Sequence, residues 1–301
     1  KFTTENAIQT TVTAADGSFS FEKVPYGTWV IREIESPTGF VLSEEKITVT
    51  IGAVDEVVEI ELVNYFIKGN IELTKVDADY PDNKLTGAVL EVYADTNGNG
   101  EFDKDDELCG EMTELEGGVY QMTELRYGKY FVREKTAPDG FVLDESVYGV
   151  SIEENGKTYT VENKAGVGFI NDAQKGSLKI VKTSSDGKVE GFSFRVTGVD
   201  YDQTFKTDKN GKIVIEGLRI GDYTVSEVSD KASAGYILPA DKQATVKVNA
   251  TAIVQMHNEF RDTPKTGDDF NLGLWVSLAA ASVIGAGVLG FVGFKKKKKE
   301  D

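Results

Sequence analysis

The feature that most constrains the fold of this chain is a segment that occurs more than once. Residues 127–143 (YGKYFVREKTAPDGFVL) match residues 26–42 (YGTWVIREIESPTGFVL) at a constant offset of 101 residues, and a looser copy spans residues 220–238. Each copy follows a turn that contains glycine and precedes a strand rich in Val and Ile. Repeated short strands separated by Gly, Asn and Asp indicate tandem β-sandwich modules. We therefore predict an all-β chain.

The boundaries between modules fall near residues 67–69 and 174–176. Residues 1–66 are predicted to be the C-terminal part of a first module, residues 67–173 a complete middle module, and residues 174–262 a third module. A length of roughly 90 to 110 residues is normal for one sandwich core. No signal peptide or initiator methionine begins the sequence, so we expect the chain to be the C-terminal part of a longer exported protein.

Residues 263–301 differ in composition from the rest of the chain. Residues 272–294 carry no charge and are mostly apolar, and five lysines follow at residues 295–299. About 20 apolar residues suffice to span a bilayer as a helix, and lysine-rich flanks stay on the cytoplasmic side. This order predicts one C-terminal transmembrane helix, with the modules outside the cell.

The sequence TPKTG, formed by Thr263, Pro264, Lys265, Thr266 and Gly267, precedes this apolar stretch. The whole segment resembles the sorting signal of Gram-positive cell-wall proteins, which is a Leu-Pro-x-Thr-Gly pentapeptide, an apolar helix and a basic tail. The resemblance implies that a sortase cysteine cleaves the Thr266–Gly267 bond and transfers Thr266 to an amine of peptidoglycan or of a neighbouring pilin. Thr263 replaces the usual Leu, which leaves the sortase class open. An ordinary single-pass membrane anchor is the alternative.

The modules resemble the B-type repeats of collagen adhesins, also called SpaA-type or prealbumin-like domains, which build stalks and pilins on Gram-positive surfaces. The resemblance rests on the strand at residues 69–77 (GNIELTKVD), on residues 85–88 (LTGA), and on residues 130–141 (YFVREKTAPDGF). It implies an Ig-like or prealbumin-like β-sandwich in each module. It also implies an intramolecular isopeptide bond between a first-strand Lys and a last-strand Asn, promoted by a buried acid.

Side-chain alternation identifies the same three residue types without the family. Residues two apart in a strand face the same side, so polar residues in register with apolar neighbours enter the core. The residues selected in this way are Lys75, Glu134 and Asn171 in the middle module, and Lys182, Glu227 and Asn258 in the third. Burial should lower the pKa of the lysine and raise the pKa of the carboxyl group. The neutral amine can then attack the Asn amide while Glu relays a proton to departing ammonia. A buried Lys–Glu salt bridge is the alternative.

The first module contains only part of this set. Glu33 and Asn64 lie at the matching positions, and alternation over residues 60–64 turns Asn64 inward. At the repeat offset, the matching lysine would precede Lys1. We therefore expect no such bond within this part of the chain, and a first module that is less ordered in isolation.

A loop in the middle module has the spacing of a calcium site. Oxygen-bearing side chains stand at loop positions 1, 3, 5, 9 and 12, and these are Asp95, Asn97, Asn99, Asp103 and Asp106. Gly100 takes position 6, where a sharp turn is needed, and the backbone carbonyl of Glu101 supplies position 7. The loop resembles those of dockerins and of related B-type adhesin repeats. An acidic turn without metal is the alternative.

Counts of reactive residues argue against several classes of function. One cysteine, Cys109, excludes a disulfide within the chain, and one histidine, His257, predicted to face outward, excludes a zinc site built on several His or Cys. A formal charge of −17 disfavours nucleic acid as a partner. No cofactor is required, although calcium is a candidate.

We predict a non-enzymatic stalk that is anchored to peptidoglycan by sortase and that holds upstream regions for a host extracellular ligand. One alternative is a pilin subunit, for which no Tyr-Pro-Lys-like acceptor strand is present in these residues. The other is the wall-anchoring stalk of an upstream catalytic domain.

Overall fold

The computed structural model describes residues 4–261, and this range is built almost entirely from β-strands. The only helix in the described range is a single 3-10 turn at Thr4–Asn6. The prediction of an all-β chain is therefore confirmed. The predicted membrane span at residues 272–294 and the TPKTG motif lie outside the described residues. Within the described range, no helix has the length and apolar character needed to cross a membrane.

The first module contains two pairs of short antiparallel strands. Strand β1 (Gly27–Ile31) pairs with β3 (Ile47–Ile51), and β2 (Phe40–Val41) pairs with β4 (Tyr65–Phe66). Residues 60–64, which alternation predicts as a strand, lie outside these strands. In the middle module, the matching segment pairs with the strand that carries Lys75.

The middle module consists of nine strands in two sheets. They are β5 (Lys68–Asp77), β6 (Val89–Ala94), β7 (Glu107–Glu111), β8 (Thr113–Glu114), β9 (Val119–Arg126), β10 (Gly128–Thr136), β11 (Val147–Ile152), β12 (Thr158–Thr160) and β13 (Phe169–Asn171). One sheet has the order β11-β10-β6-β7. The other has the order β12-β5-β9-β8, and β13 also pairs with β5.

The core of the middle module is formed by inward-facing residues of both sheets. Ile71 and Leu73 from β5 belong to the same buried cluster as Leu90 from β6 and Val132 from β10. All four side chains are fully buried, as expected where alternate residues of two sheets interdigitate. Strand β13 runs parallel to β5, with Phe169 opposite Lys75. The first and last strands of the module are therefore neighbours.

The third module repeats this architecture with eight strands. They are β14 (Lys175–Ser184), β15 (Ser193–Gly198), β16 (Tyr201–Lys206), β17 (Lys212–Arg219), β18 (Gly221–Val228), β19 (Tyr236–Ile237), β20 (Lys242–Val246) and β21 (Thr251–Phe260). The two sheets have the orders β17-β14-β21-β19 and β16-β15-β18-β20. The first strand, β14, again lies beside the last strand, β21. His257 on β21 is exposed, as alternation predicts.

By compactness the described chain divides into two units. The first comprises the residues up to Leu178 together with Val214–Tyr223 and Ala244–Ala252. The second comprises Lys179–Ile213, Thr224–Gln243 and the residues from Ile253 onward. Lys75, Glu134 and Asn171 of the middle module lie in the first unit. Lys182, Glu227 and Asn258 of the third module lie in the second unit.

Candidate covalent cross-link sites

The strands of the middle module bring Lys75, Glu134 and Asn171 together in its core. Lys75 is fully buried, and Glu134 and Asn171 are 4% and 2% exposed. Each follows apolar residues on the inward face of its strand, β5, β10 or β13 respectively. The predicted inward orientation of these three side chains is what the structure shows. Three polar groups in an apolar interior can remain there only if they bind one another.

A glycine in the turn before the repeated segment holds the backbone of each lysine in place. The backbone N–H of Lys75 donates to the Gly118 carbonyl at 2.9 Å, and that of Lys182 donates to the Gly211 carbonyl at 2.7 Å. Both glycines have φ near +70°. A Cβ at Gly118 would lie 2.8 Å from the Leu85 carbonyl oxygen, and one at Gly211 would lie 2.7 Å from that of Lys182. Only glycine fits both the left-handed backbone and this close approach.

In the middle module, Glu134 bridges the amine and the amide through its two oxygens. Lys75 Nζ lies 2.5 Å from Glu134 Oε1, and Asn171 Nδ2 donates to Glu134 Oε2 at 2.7 Å. Asn171 Nδ2 also donates to the Val142 carbonyl at 2.9 Å, whereas Asn171 Oδ1 is buried without a hydrogen-bond partner. The Phe169 ring covers the amine, with its centroid 4.2 Å from Lys75 Nζ. The arrangement places an amine, an acid and an amide in one buried pocket.

Electrostatics in this pocket lower the pKa of the Lys75 amine. Burial lowers the pKa of Lys75 because desolvation penalises the ammonium form, although the hydrogen bond and charge of Glu134 oppose this effect. Asp144 adds a smaller opposing charge. Since only the neutral amine has a lone pair, the lowered pKa increases the nucleophilic fraction of Lys75.

The third module brings together the acid and the amide but orients the lysine differently. Asn258 Nδ2 donates to Glu227 Oε1 at 2.7 Å, while Lys182 Nζ donates to the Thr183 carbonyl at 2.5 Å. The lysine is buried over the Phe192 ring, with its Nζ 4.1 Å from the centroid. Glu227 is half-buried rather than enclosed. Burial nevertheless lowers the pKa of Lys182 and raises that of Glu227, which are the directions that the predicted chemistry requires.

One contact of the acid comes from the backbone and is not predicted by the sequence pattern. The N–H of Asp144 donates to Glu134 Oε2 at 2.8 Å. Asp144 follows the repeated segment and occupies the same repeat position as Ser43 in the first module and Pro239 in the third. No shared side chain at this position signals the contact, because Ser43 and Asp144 donate through the backbone and proline has no N–H to donate.

The first module retains the acid and the amide. Asn64 Nδ2 donates to Glu33 Oε2 at 2.7 Å, and the Ser43 N–H donates to the same oxygen at 2.8 Å. Both side chains are half-buried. The contact between Asn and Glu in the middle module is therefore repeated in the first.

The predicted calcium loop joins β6 to β7 and closes on itself through its own side chains. Gly100 has a φ of +78°, which is the sharp turn expected at position 6, and its N–H donates to Asp95 Oδ2 at 3.0 Å. The amides of Asn97 and Asn99 donate to Asp103 Oδ2 at 3.2 and 2.8 Å. A backbone N–H from Asp105 and the Asn99 amide lower the pKa of Asp103.

Two acid oxygens in this loop are buried without a hydrogen-bond partner. They are Asp95 Oδ1 and Asp106 Oδ1, at the first and last positions of the loop. Glu101, at position 7, donates its backbone N–H to Asn99 Oδ1 at 2.7 Å. Within residues 4–261, no three His, Cys, Asp or Glu side chains already converge to form a metal site.

Comparison with known families identifies the repeated module. The model of the SpaA family, described as a prealbumin-like fold domain, matches residues 1–65, 69–165 and 176–260. These three matches together cover most of the chain. The match over residues 69–165 contains Lys75 and Glu134, and the match over residues 176–260 contains Lys182, Glu227 and Asn258.

Relatives of known sequence or structure agree with this match. Serine-aspartate repeat-containing protein D of Staphylococcus aureus (strain Newman) is 28% identical over 269 residues, which covers 72% of this chain and 19% of that protein. The solved structure of the Bacillus anthracis TIE protein superimposes with a TM-score of 0.66 at 25% identity, covering 86% of this chain and 46% of that one. The chain thus spans less than half the length of either protein.

Proposed function

We propose, from the premise that this chain belongs to the SpaA family of prealbumin-like fold domains, that it forms the stalk of an adhesin-like or pilin-like protein on a Gram-positive cell surface. In this proposal the stalk itself is not an enzyme, and each complete module is stabilised by one self-formed isopeptide bond. The observation that carries the proposal is the bridge that Glu134 makes between the buried Lys75 amine and the Asn171 amide.

The chemistry follows from the contacts of Glu134. The neutral Lys75 amine attacks Asn171 Cγ, forming a C–N bond and placing charge on Asn171 Oδ1. The amine loses one proton through Glu134, and Asn171 Nδ2 gains one, so that the Cγ–Nδ2 bond breaks and ammonia leaves. Glu134 Oε1 faces the amine and Oε2 faces Nδ2, which places the two proton transfers on one carboxyl group. The cross-linked product contains all the atoms and electrons of the two side chains except those of the one ammonia molecule that leaves.

The third module supports the same reaction from a different starting geometry. Glu227 and Asn258 are in contact, and the Lys182 side chain must turn away from the Thr183 carbonyl to reach them. This motion exchanges one hydrogen bond and keeps the amine in the pocket beside Phe192. We therefore propose a bond between Lys182 and Asn258 as well.

The test is the intact mass of the chain. We expect the mass to be lower than that of the sequence by two ammonia molecules, and peptide mapping to find Lys75 joined to Asn171 and Lys182 joined to Asn258. Glu134→Ala should restore one ammonia mass and leave the third-module link in place. An unmodified mass in the wild-type chain would contradict the proposal, and the alternative of a buried Lys75–Glu134 salt bridge would then hold.

Anchoring to the wall is the second part of the proposal. The motif formed by Thr263, Pro264, Lys265, Thr266 and Gly267, the apolar stretch at residues 272–294 and the lysines at residues 295–299 support it by their order. The partners in this proposal are a sortase and peptidoglycan, or a neighbouring pilin if the chain is polymerised. Any host ligand would be bound by regions upstream of the modules.

We also propose that the loop at residues 95–106 binds calcium. The supporting observation is the pair of buried, unpartnered oxygens on Asp95 and Asp106, since a buried acid oxygen without a donor is stabilised by a cation. Asn97 and Asn99 would turn their amide oxygens inward and release Asp103, whose carboxylate would then also face the ion. Calcium would link the two ends of the loop and thereby hold β6 and β7 together.

A further inference from the structure

We infer that the backbone position occupied by Asp144 in the middle module and by Pro239 in the third sets the ease with which the neighbouring glutamate takes up a proton, and thereby the rate of cross-linking in each module. This inference rests on the proposed cross-linking reaction. It assigns a role to a backbone N–H group, and it distinguishes two modules of the same chain.

The first two modules show the same contact. The N–H of Ser43 donates to Glu33 Oε2 and the N–H of Asp144 donates to Glu134 Oε2, each at 2.8 Å. In both modules the same oxygen also accepts from the Asn amide. The contact therefore recurs whether or not the lysine is present, and it belongs to the turn that follows the repeated Gly-Phe-Val-Leu sequence.

The third module lacks this donor. Its repeat sequence Gly-Tyr-Ile-Leu ends at Leu238, and the next residue is Pro239, which has no N–H. The matching backbone is otherwise retained, because Tyr236 pairs with Phe260 as Phe40 pairs with Phe66 in the first module. Glu227 Oε2 is buried without any hydrogen-bond partner. Asn258 donates to the other oxygen, Glu227 Oε1, so the unpartnered Oε2 corresponds to the oxygen that faces Lys75 in the middle module. The oxygen that contacts the Asn amide is the one that Pro239 leaves without a backbone donor.

The reaction needs a neutral amine and a protonated acid at the same time. In the ion-paired state the lysine holds the proton, and transfer of that proton to the glutamate produces the reactive state without any change in total charge. A backbone N–H that donates to the carboxylate stabilises the ion-paired state and so makes the reactive state rarer. Asp144 should slow the reaction through its N–H, and Pro239 should permit it to proceed faster.

Other charged groups near each glutamate must be considered with the N–H. Around Glu134 these are Lys75 on β5, the Asp144 carboxylate and the Tyr120 hydroxyl on β9, whose pKa is raised to about 12 chiefly by burial. Burial raises the pKa of Asp144, but hydrogen bonds from Tyr148, Ser146 and Asn163 outweigh burial and lower that pKa to about 2. The carboxylate therefore stays charged over the working pH range, and its effect must be separated from that of its backbone.

Around Glu227 the charged groups are Lys182 on β14 and Asp230 beyond the end of β18. Asp186 acts on Lys182 and accepts a hydrogen bond from Tyr236. Asp230 raises the pKa of Glu227 in the same direction as burial, although burial is the larger cause. None of these groups changes when Pro239 is replaced by alanine, so that substitution isolates the N–H.

The experiment follows the two cross-links in the full chain. The chain is recovered unfolded and unlinked from inclusion bodies, diluted from urea into detergent buffers over a range of pH, quenched in acid at intervals, and digested. Mass spectrometry then quantifies the Lys75–Asn171 and Lys182–Asn258 peptides separately. In each variant, the unaltered module therefore serves as an internal reference for the rate of cross-linking.

Pro239→Ala should slow the third-module cross-link on the order of tenfold at neutral pH, which corresponds to about one pKa unit, and leave the middle-module link unchanged. The pH–rate profile of the third module should move to lower pH, because a supplied donor favours the carboxylate. Asp144→Pro should accelerate the middle-module link relative to Asp144→Ala, which removes the carboxylate but keeps the N–H. Its profile should move to higher pH.

A change that acted only through folding would alter the rate without moving the pH profile. Equal rates and unshifted profiles for Pro239→Ala and wild type would overturn the inference, while the cross-links themselves would still support the proposed function. Absence of both cross-links from the wild-type chain would overturn the proposed function and this inference together. If Asp144→Pro does not fold, Pro239→Ala alone decides the matter.

Discussion

Removing the amide of Asn171 should cost the middle module most of the stability that its cross-link supplies. Asn171→Ala deletes the electrophilic carbon but leaves the contact between Lys75 and Glu134 in place. The variant therefore separates the covalent bond from the ion pair, which Glu134→Ala does not. We expect the variant to lack one ammonia loss and to unfold at a much lower temperature than the wild-type module.

The size of the effect follows from the loop that the bond closes. The segment from Lys75 to Asn171 is close to 100 residues long, and a cross-link that closes a loop of about 100 residues raises the free energy of unfolding by about 4.7 kcal/mol. A domain of this size has an unfolding entropy of about 0.2 kcal/mol/K, so the melting temperature should fall by about 20 °C.

Differential scanning calorimetry of residues 1–262 measures this shift, and Asn163→Ala provides the matched control. The Asn163 side chain makes hydrogen bonds to Asp144 and to both backbone groups of Ile170, but it takes no part in the reaction. This control should keep both ammonia losses and show less than half the decrease in melting temperature. An Asn171→Ala chain that lacks the bond but melts within a few degrees of wild type would refute the loop-closure reasoning.

Three further predictions concern the calcium loop, the anchor and acid stability. Calcium should raise the melting temperature of the middle module with a dissociation constant on the order of 10⁻⁴ to 10⁻³ M, and Asp95→Ala should abolish the response in calorimetric titration; an undiminished response would contradict the site. Thr266→Ala should leave the protein extractable from cells by detergent, whereas wild type should be released only by digestion of the wall; equal extraction would favour a plain membrane anchor. Burial raises the pKa of Glu91, but hydrogen bonds from Arg133 and Lys135 outweigh burial and lower that pKa from 4.5 to about 2. The resulting stability is present above pH 4.5 and is lost as the pH falls towards 2. Wild type should therefore have a free energy of unfolding higher than that of Glu91→Gln by on the order of 1 to 2 kcal/mol, since the partners remain partly exposed, and this difference should disappear in acid melts. A difference that persists at pH 2 would contradict this assignment.

Strand alternation was sufficient to predict that Lys75, Glu134 and Asn171 face the interior of the middle module. The period of two is a property of the extended backbone, so the face on which Lys75 and Asn171 lie does not depend on the details of packing. Alternation identified Glu134 in the same way, since Tyr130 and Val132 precede it at spacings of two. Contact among the three side chains also requires that the first and last strands pair. Strand alternation does not predict that pairing, and only the family resemblance implied it.

Alternation predicts the face of a strand but not how deeply a residue is buried. Glu227 stands next to the end of β18 and is half-buried, although it faces inward as Glu134 does. The Lys182 amine donates a hydrogen bond to the adjacent Thr183 carbonyl. Which of several nearby acceptors the amine contacts depends on atomic distances, and a strand pattern does not give these. Residues 60–64 of the first module form no strand, because strand formation requires a neighbour as well as a pattern.

The adjacency of first and last strands gives the proposed cross-link a mechanical meaning in a stalk. Tension on a chain of modules enters the middle module through β5 and leaves it after β13, and these two strands lie side by side in parallel. Without a covalent bond, the hydrogen bonds between these strands and their neighbours would carry that tension. A bond from Lys75 to Asn171 transfers it directly from one strand to the other, so the intervening residues carry none of it. A disulfide could perform the same task, but the chain has a single cysteine, and an amide bond requires no oxidant to form and is not broken by thiols.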